Sequence, residues 1–93
     1  MDTMQLGGNI ELNGFNELER SKLVVVKKIV GNYAKEFSDK TRFDKLSLTL
    51  ALDGTEFKIA AELFGDKPVK SELKDKNLFF VIGNIMENIK KEL

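Results

Sequence analysis

Apolar and polar residues alternate most clearly in the middle of the chain, in KLSLTLALDGTEFKIAAELF. Leucines occupy every second position before Asp53-Gly54, and apolar residues alternate again after it. A period of two is typical of a strand with one buried face, and Asp-Gly is a preferred pair for a two-residue turn. We predict a hairpin with Asp53 and Gly54 in its turn, which sets Lys45 opposite Glu62.

Two shorter segments have the same alternation. Residues 9–13, NIELN, predict a strand before the first helix, and PVKSELK predicts a strand after the hairpin. A three-residue loop over residues 65–67 sets Val69 opposite Leu63, so that the apolar faces coincide. Pro68 cannot donate a hydrogen bond to a neighbouring strand, which predicts that this last strand lies at a sheet edge.

Residues 17–39 predict an amphipathic helix, because apolar residues recur four or seven positions apart. We expect Asn16 to cap its start, through a capping box with Glu19. Gly31 lowers helix propensity, so two alternatives stay open: a continuous helix stabilised by packing, or a break near residues 31–32. The apolar stripe comprises Leu18, Val25, Ile29, Tyr33 and Phe37, widened by Val26 and Val30.

The closing segment, DKNLFFVIGNIMENIKKEL, begins with five apolar residues in a row, as a buried strand would. A helix accounts for more of it, since Asn77 is a good N-cap residue and one apolar stripe then continues to the end of the chain. On such a helix Phe80 points to the outer side, near Gly83. The stripe comprises Leu78, Ile82, Ile85, Ile89 and Leu93.

The resulting order, β-α-β-β-β-α, predicts an α+β two-layer sandwich in a single domain over residues 1–93. We expect a four-stranded mixed sheet of order 1-2-3-4, in which strand 1 is parallel to strand 2 and the others are antiparallel. Each hairpin strand has one apolar face, so both helices should cover the same side of the sheet. Residues 1–7 are expected to be disordered.

Composition restricts the possible chemistry. The 93 residues include 15 basic and 15 acidic side chains, so the formal net charge is zero. With no cysteine and no histidine, the chain lacks thiolate chemistry, the commonest general base and the commonest metal ligand. We therefore expect no enzyme activity, no catalytic residues, no metal site and no cofactor. The chain has no apolar run of membrane-spanning length and opens with no signal peptide, which predicts a cytoplasmic protein.

The end of the chain, VKSELKDKNLFFVIGNI, resembles the ribosome hibernation-promoting factors and related ribosome-associated translation inhibitors. Like them it has a short edge strand, a helix cap at Asn77 and an apolar, aromatic helix start at Leu78 and Phe79, with Ile82 in the core. NIELNGFNELE also resembles the family's first strand and helix cap, and the resemblance covers about residues 9–93. It implies a non-catalytic, RNA-binding domain that regulates translation by occupying the small ribosomal subunit.

Candidate RNA contacts lie on the outer face of the first helix. Arg20, Lys27, Lys28 and Lys35 fall within about 100° of each other on a helical wheel, with Gly31 in their middle. They predict a stripe that contacts phosphates, where Gly31 lets a backbone approach closely, helped by Lys70 and Lys74 on the edge strand. The alternatives are a solvated helix face and edge lysines that discourage aggregation.

The second function class is a protein–protein interaction module or a small homodimer without nucleic-acid binding, which the zero net charge favours. It would use the uncovered sheet face with Phe64 as anchor, and Phe80 is a further candidate contact. The alternatives are a plain wet sheet face and a Phe80 ring tucked against the first helix.

Overall fold

The computed structural model describes residues 2–93, which fold into two helices and a five-stranded sheet. The sheet order is β1-β2-β3-β4-β5; β2 and β3 are parallel and all other neighbours are antiparallel. The predicted α+β fold and mixed sheet are confirmed, with one strand more than expected. The elements are β1 Thr3–Leu6, β2 Ile10–Asn13, α1 Arg20–Lys40, β3 Phe43–Asp53, β4 Glu56–Gly65, β5 Val69–Asp75 and α2 Leu78–Lys91, with a 3₁₀ helix at Phe15–Glu17.

The additional strand, β1, corrects the prediction of a four-stranded sheet and of disorder over residues 1–7. It pairs antiparallel with β2, with Leu6 opposite Ile10 across a three-residue turn. Met4 and Leu6 are half-buried against the core, whereas Thr3 and Gln5 are exposed. Two apolar residues thus suffice to fix the strand, because β2 offers it a complete ladder of backbone partners. Met1 lies outside the described residues.

The β3–β4 hairpin forms as predicted, but its register differs by two residues. Asp53 pairs with Glu56, so the turn residues are Gly54 and Thr55, not Asp53 and Gly54. Gly54 has a φ of 64°, which suits a glycine at the first position of a tight hairpin turn. A shift by two keeps every apolar side chain on the same face. The predicted Lys45–Glu62 pair is therefore wrong.

The register of β4 and β5 agrees with the prediction, since Leu63 pairs with Val69 and β5 is an edge strand. Gly65, the last residue of β4, lies against the start of β3. A Cβ atom there would come within 2.5 Å of both the Arg42 carbonyl oxygen and the Phe43 Cα. The ladder between β3 and β4 also shifts register after Phe43. Only glycine permits this close approach without a backbone shift.

The core lies between one face of the sheet and the two helices. Alternate residues of β2, β3 and β4 are buried on this face, opposite buried residues of α1 and α2. The radius of gyration, 12.3 Å, equals the value of about 12 Å for a compact domain of this length. The fully buried large side chains include Leu12, Phe15, Phe37, Leu46, Leu48, Ile59, Leu63, Ile82, Ile85, Met86 and Ile89.

Helix α1 is continuous through Gly31, so the alternative of a break is wrong. It begins at Arg20, later than predicted, and Asn16 does not cap it; the Asn16 side chain instead donates to the Asp2 carboxylate at 2.9 Å. The buried stripe is centred on Val26, Val30, Ala34 and Phe37, whereas Val25 is exposed. The 3₁₀ helix precedes α1, and its first residue, Phe15, is buried.

Helix α2 begins as the sequence predicts. The Asn77 Oδ1 accepts hydrogen bonds from the backbone N–H groups of Phe79 at 3.1 Å and Phe80 at 3.2 Å. The strand interpretation of this segment is wrong, because one stripe of the helix is buried: Leu78, Val81, Ile82, Ile85, Met86 and Ile89. Phe80 remains 52% exposed, so the ring is not enclosed by α1.

We expect Asn77→Ala to lower the free energy of unfolding by about 1 kcal/mol, because two backbone donors at the start of α2 lose their acceptor. Urea denaturation measures the change. Asn88→Ala is the matched control, since Asn88 is exposed in the same helix, far from its first turn. Equal stability of the two variants would contradict the role of this cap.

Candidate nucleic-acid interface

Two contacts between the helices determine which flank of α1 remains open. The Tyr33 hydroxyl donates to the Glu87 carboxylate at 2.6 Å, and the Lys90 ammonium donates to Glu36 at 3.3 Å. Both contacts join α1 to α2 with the same residue spacing, so the two helices run parallel. One flank of α1 therefore packs beside α2, and the opposite flank faces solvent.

The predicted basic residues lie on this open flank. At 100° per residue, Arg20, Lys27, Lys28 and Lys35 point away from the Tyr33 side of α1. Three of them are exposed, and Lys27 is half-buried. We call these four residues the basic stripe. It extends about 22 Å along the helix axis.

The basic stripe concentrates charge on a chain whose total charge is zero. Helix α1 contains six basic and two acidic residues, a net charge of +4. One of its two acidic residues, Glu36, already pairs with Lys90. No member of the basic stripe forms an ion pair with any residue of the described range 2–93. Four cations are thus available to an external anion.

Gly31 lies between the basic side chains, as predicted. A Cβ atom at this position would meet no other atom within 4 Å, so packing does not require glycine here. Val24 lies on the same flank and is 60% exposed. The centre of the basic stripe is therefore uncovered backbone and one small apolar side chain, which leaves room for a close approach.

Lys70 and Lys74 are not brought to the basic stripe. They project from β5 on the sheet face opposite the helices, which we call the open face. Lys70 lies 3.8 Å from Glu62, and Lys74 lies 3.1 Å from Asp53 and 3.8 Å from Glu56. The Asp53 hydrogen bond and the nearby carboxylates raise the pKa of Lys74 above its ordinary value. As RNA contacts, these two lysines stay a prediction.

The charges of the open face are paired with one another. It carries four lysines and five acidic residues, and each of these side chains takes part in an ion pair. Beside the ion pairs, the Asn13 amide donates to Ser47 at 3.2 Å and accepts from the Thr3 hydroxyl at 2.7 Å. The face is therefore rich in polar groups that already have partners.

Phe64, the predicted anchor of a protein contact, is 36% exposed on this open face. The Lys45 ammonium lies 4.8 Å from the centre of its ring and 3.5 Å from Glu11. A partner that covered this face would remove nine paired charges from water, at a cost that their mutual attraction does not recover fully. The protein-interaction role of Phe64 and Phe80 stays a prediction.

The chain matches no model of a known protein family, and no curated protein sequence is significantly similar to it. Within residues 2–93, no three side chains of histidine, cysteine, aspartate or glutamate come together in a way that could hold a metal ion. Neither α1 nor α2 combines the length and hydrophobicity that a membrane crossing requires.

The sequence located the basic stripe, but it did not show that these four cations form no ion pair within residues 2–93. Glu17 and Glu19, close to Arg20 in the chain, precede α1 instead of belonging to it. Most remaining acidic residues lie on the open face or in loops. The signal that could have revealed this is the alternation itself, because it assigns Glu56 and Glu62 to the polar face of β4.

Tyr33 offers a direct test of the contact between the helices. The hydrogen bond to Glu87, with partial burial and the charges of Glu87 and Glu36, raises the pKa of Tyr33 to about 12. The chain has one tyrosine and no tryptophan, so absorbance of the phenolate reports this residue alone. We expect Glu87→Gln to move the titration towards 10 and Glu92→Gln to leave it unchanged.

The sign of the linked stability change follows from the same pKa. Because the folded chain holds the Tyr33 proton more tightly than the unfolded chain, the contribution is complete below pH 10. It is lost as the pH rises through about 12. An unperturbed Tyr33 titration would mean that α1 and α2 are not joined by this hydrogen bond.

Gly31→Ala should raise the free energy of unfolding by about 0.5–1 kcal/mol, because alanine restricts the unfolded chain and meets no obstacle in the helix. Thermal denaturation measures the change. Gly54→Ala, at a φ of 64°, is the matched control and should destabilise the chain. A loss of stability in Gly31→Ala would show that glycine is needed for the helix itself.

Proposed function

We propose that this chain is a non-catalytic RNA-binding domain that acts by occupancy and resembles the ribosome hibernation-promoting factors. The observation that carries the proposal is the basic stripe: four cations without partners among the described residues, on one open flank of α1. The partner that the resemblance implies is the small ribosomal subunit, whose surface is structured RNA.

The stripe fits phosphates better than bases. Lysine and arginine on an exposed helix form charge-assisted hydrogen bonds to phosphate oxygens and release counterions from the nucleic acid. Bases of single-stranded RNA are usually held by aromatic side chains. Tyr33 is the aromatic residue of α1 that lies within the length of the basic stripe. Its ring is on the other flank of the helix, and its hydroxyl donates a hydrogen bond to Glu87. Structured RNA, recognised by its backbone, is therefore the favoured ligand.

The zero net charge limits the affinity but does not remove the interface. Attraction between exposed charges is screened over about 8 Å at physiological ionic strength. Carboxylates on the open face lie across the sheet from α1 and are already paired with lysines. Over short distances an RNA duplex would thus meet the local charge of α1 rather than the total charge of the chain.

Sedimentation with ribosomes through a sucrose gradient, at low and high salt, tests the proposal. We expect the tagged chain in the small-subunit fractions at low salt. For about four phosphate contacts, the logarithm of the binding constant for a short RNA duplex should fall with a slope of about −3 to −4 against the logarithm of salt. Binding would then weaken about a hundredfold between about 50 and 200 mM salt.

Single substitutions assign this binding to α1. Lys28→Ala and Lys35→Ala should each reduce the salt slope by about 1. Lys58→Ala, on the open face and paired with Glu72 at 3.7 Å, is the matched control and should leave it unchanged. Absence of the chain from ribosomal fractions at low salt, or an equal effect of Lys58→Ala, would refute the proposal.

A further inference from the structure

A shallow groove lies where the β3–β4 hairpin meets the start of α2. Its volume is about 350 Å³, at the lower end of the range of about 300–1,000 Å³ for ligand pockets. Apolar side chains and a charged rim line it together. The lining residues are Lys22, Phe57, Asp75, Lys76, Asn77, Leu78 and Phe79.

The apolar part of this groove continues onto exposed neighbours. Phe79 is 39% exposed although it belongs to the first turn of α2. Leu52, the register partner of Phe57 at the end of the hairpin, is 57% exposed. Single exposed apolar residues are ordinary, but adjacent ones of this size mark interaction surfaces.

The rim of the groove carries two lysines and one aspartate. Neither Lys22 nor Lys76 forms an ion pair with another residue in the part of the chain that the structure describes. The one carboxylate in the lining, Asp75, accepts a hydrogen bond from the backbone N–H of Asn77 at 2.9 Å. Lys22 and Lys76 therefore line the groove together with Phe57, Leu78 and Phe79, and neither ammonium group is paired within residues 2–93.

This groove is separate from the basic stripe. Lys22 lies on the flank of α1 that faces α2, whereas Arg20 and Lys27 lie on the opposite flank. A ligand in the groove and an RNA duplex on the basic stripe would thus contact different sides of α1.

We propose that the groove docks an acidic segment of a partner protein. The segment would place an apolar side chain against Phe57 and Phe79 and direct flanking carboxylates to Lys22 and Lys76. An apolar floor selects a hydrophobic anchor, and the two free ammonium groups select its neighbours by charge. RNA is less suited, because a nucleic-acid groove carries a run of cations along the backbone, whereas this lining has two lysines and one aspartate, a net charge of only +1.

Amide chemical-shift mapping on the full chain tests this docking site. The probe is a hexapeptide with a leucine–phenylalanine centre between two pairs of glutamates. One control peptide replaces the glutamates by lysines, and a second replaces the centre by two serines. We expect perturbed amides at Lys22, Phe57 and residues 76–79, and at least about tenfold weaker binding of either control peptide.

Substitutions locate the contact. Phe79→Ser and Lys76→Glu should each weaken binding of the acidic probe at least about tenfold. Phe64→Ser, an exposed phenylalanine on the open face, and Lys91→Glu are the matched controls. Lys76 precedes α2 and is exposed, so Lys76→Glu should leave the fold intact. Binding of the acidic probe to this variant therefore still tests the proposal if Phe79→Ser proves unstable.

Other ligands provide the opposing outcomes. Equal binding of the lysine peptide, or shifts confined to other surfaces, would overturn the proposal. So would tighter binding of single-stranded RNA or of vesicles rich in anionic lipid through the same amides, because either result would assign the groove to another class of partner. Salt-sensitive binding of duplex RNA to the basic stripe is measured separately, so neither proposal depends on the other.

Discussion

Burial of one apolar sheet face beneath two helices is the interaction on which the rest of this structure depends. Alternate side chains of β2, β3 and β4 form that face, and the stripes of α1 and α2 cover it. Because the period of a strand is two, every residue between them is directed to the other side of the sheet. The same packing determines which flank of α1 remains open. Packing of the core thus determines where each polar side chain lies on the surface.

The open face and the open flank of α1 differ in how their charges are distributed. The open face receives both lysines and carboxylates from neighbouring strands, so cross-strand pairs such as Glu62–Lys70 can form. Helix α1 contains six basic and only two acidic residues, and one of these two, Glu36, forms an ion pair with Lys90 of α2. A total charge of zero therefore conceals two different surfaces. One is neutralised by its own ion pairs, and the other offers cations to an external partner.

Much of the fold could be predicted because the alternation is regular from Leu46 to Leu63 and because Asn77 marks the start of α2. The turn of the hairpin could not, since facing apolar sides determine register only in steps of two residues. The positive φ of Gly54 fits a turn formed by Gly54 and Thr55, which selects one of the possible registers. β1 was not predicted, because two apolar residues are too few to show a period of two; its pairing with β2 is visible only in the fold. The candidate RNA contacts could be located on α1, but the absence of ion pairs between them and the rest of residues 2–93 depends on tertiary placement.

We propose that RNA contacts the basic stripe of α1 and not the open face. The contact surface is identified by mapping the amide chemical shifts of the whole chain while a short RNA duplex is added at low salt. We expect perturbed amides along residues 20–35 and unchanged amides on β4 and β5. Perturbations confined to the sheet strands, or none at low salt, would contradict it.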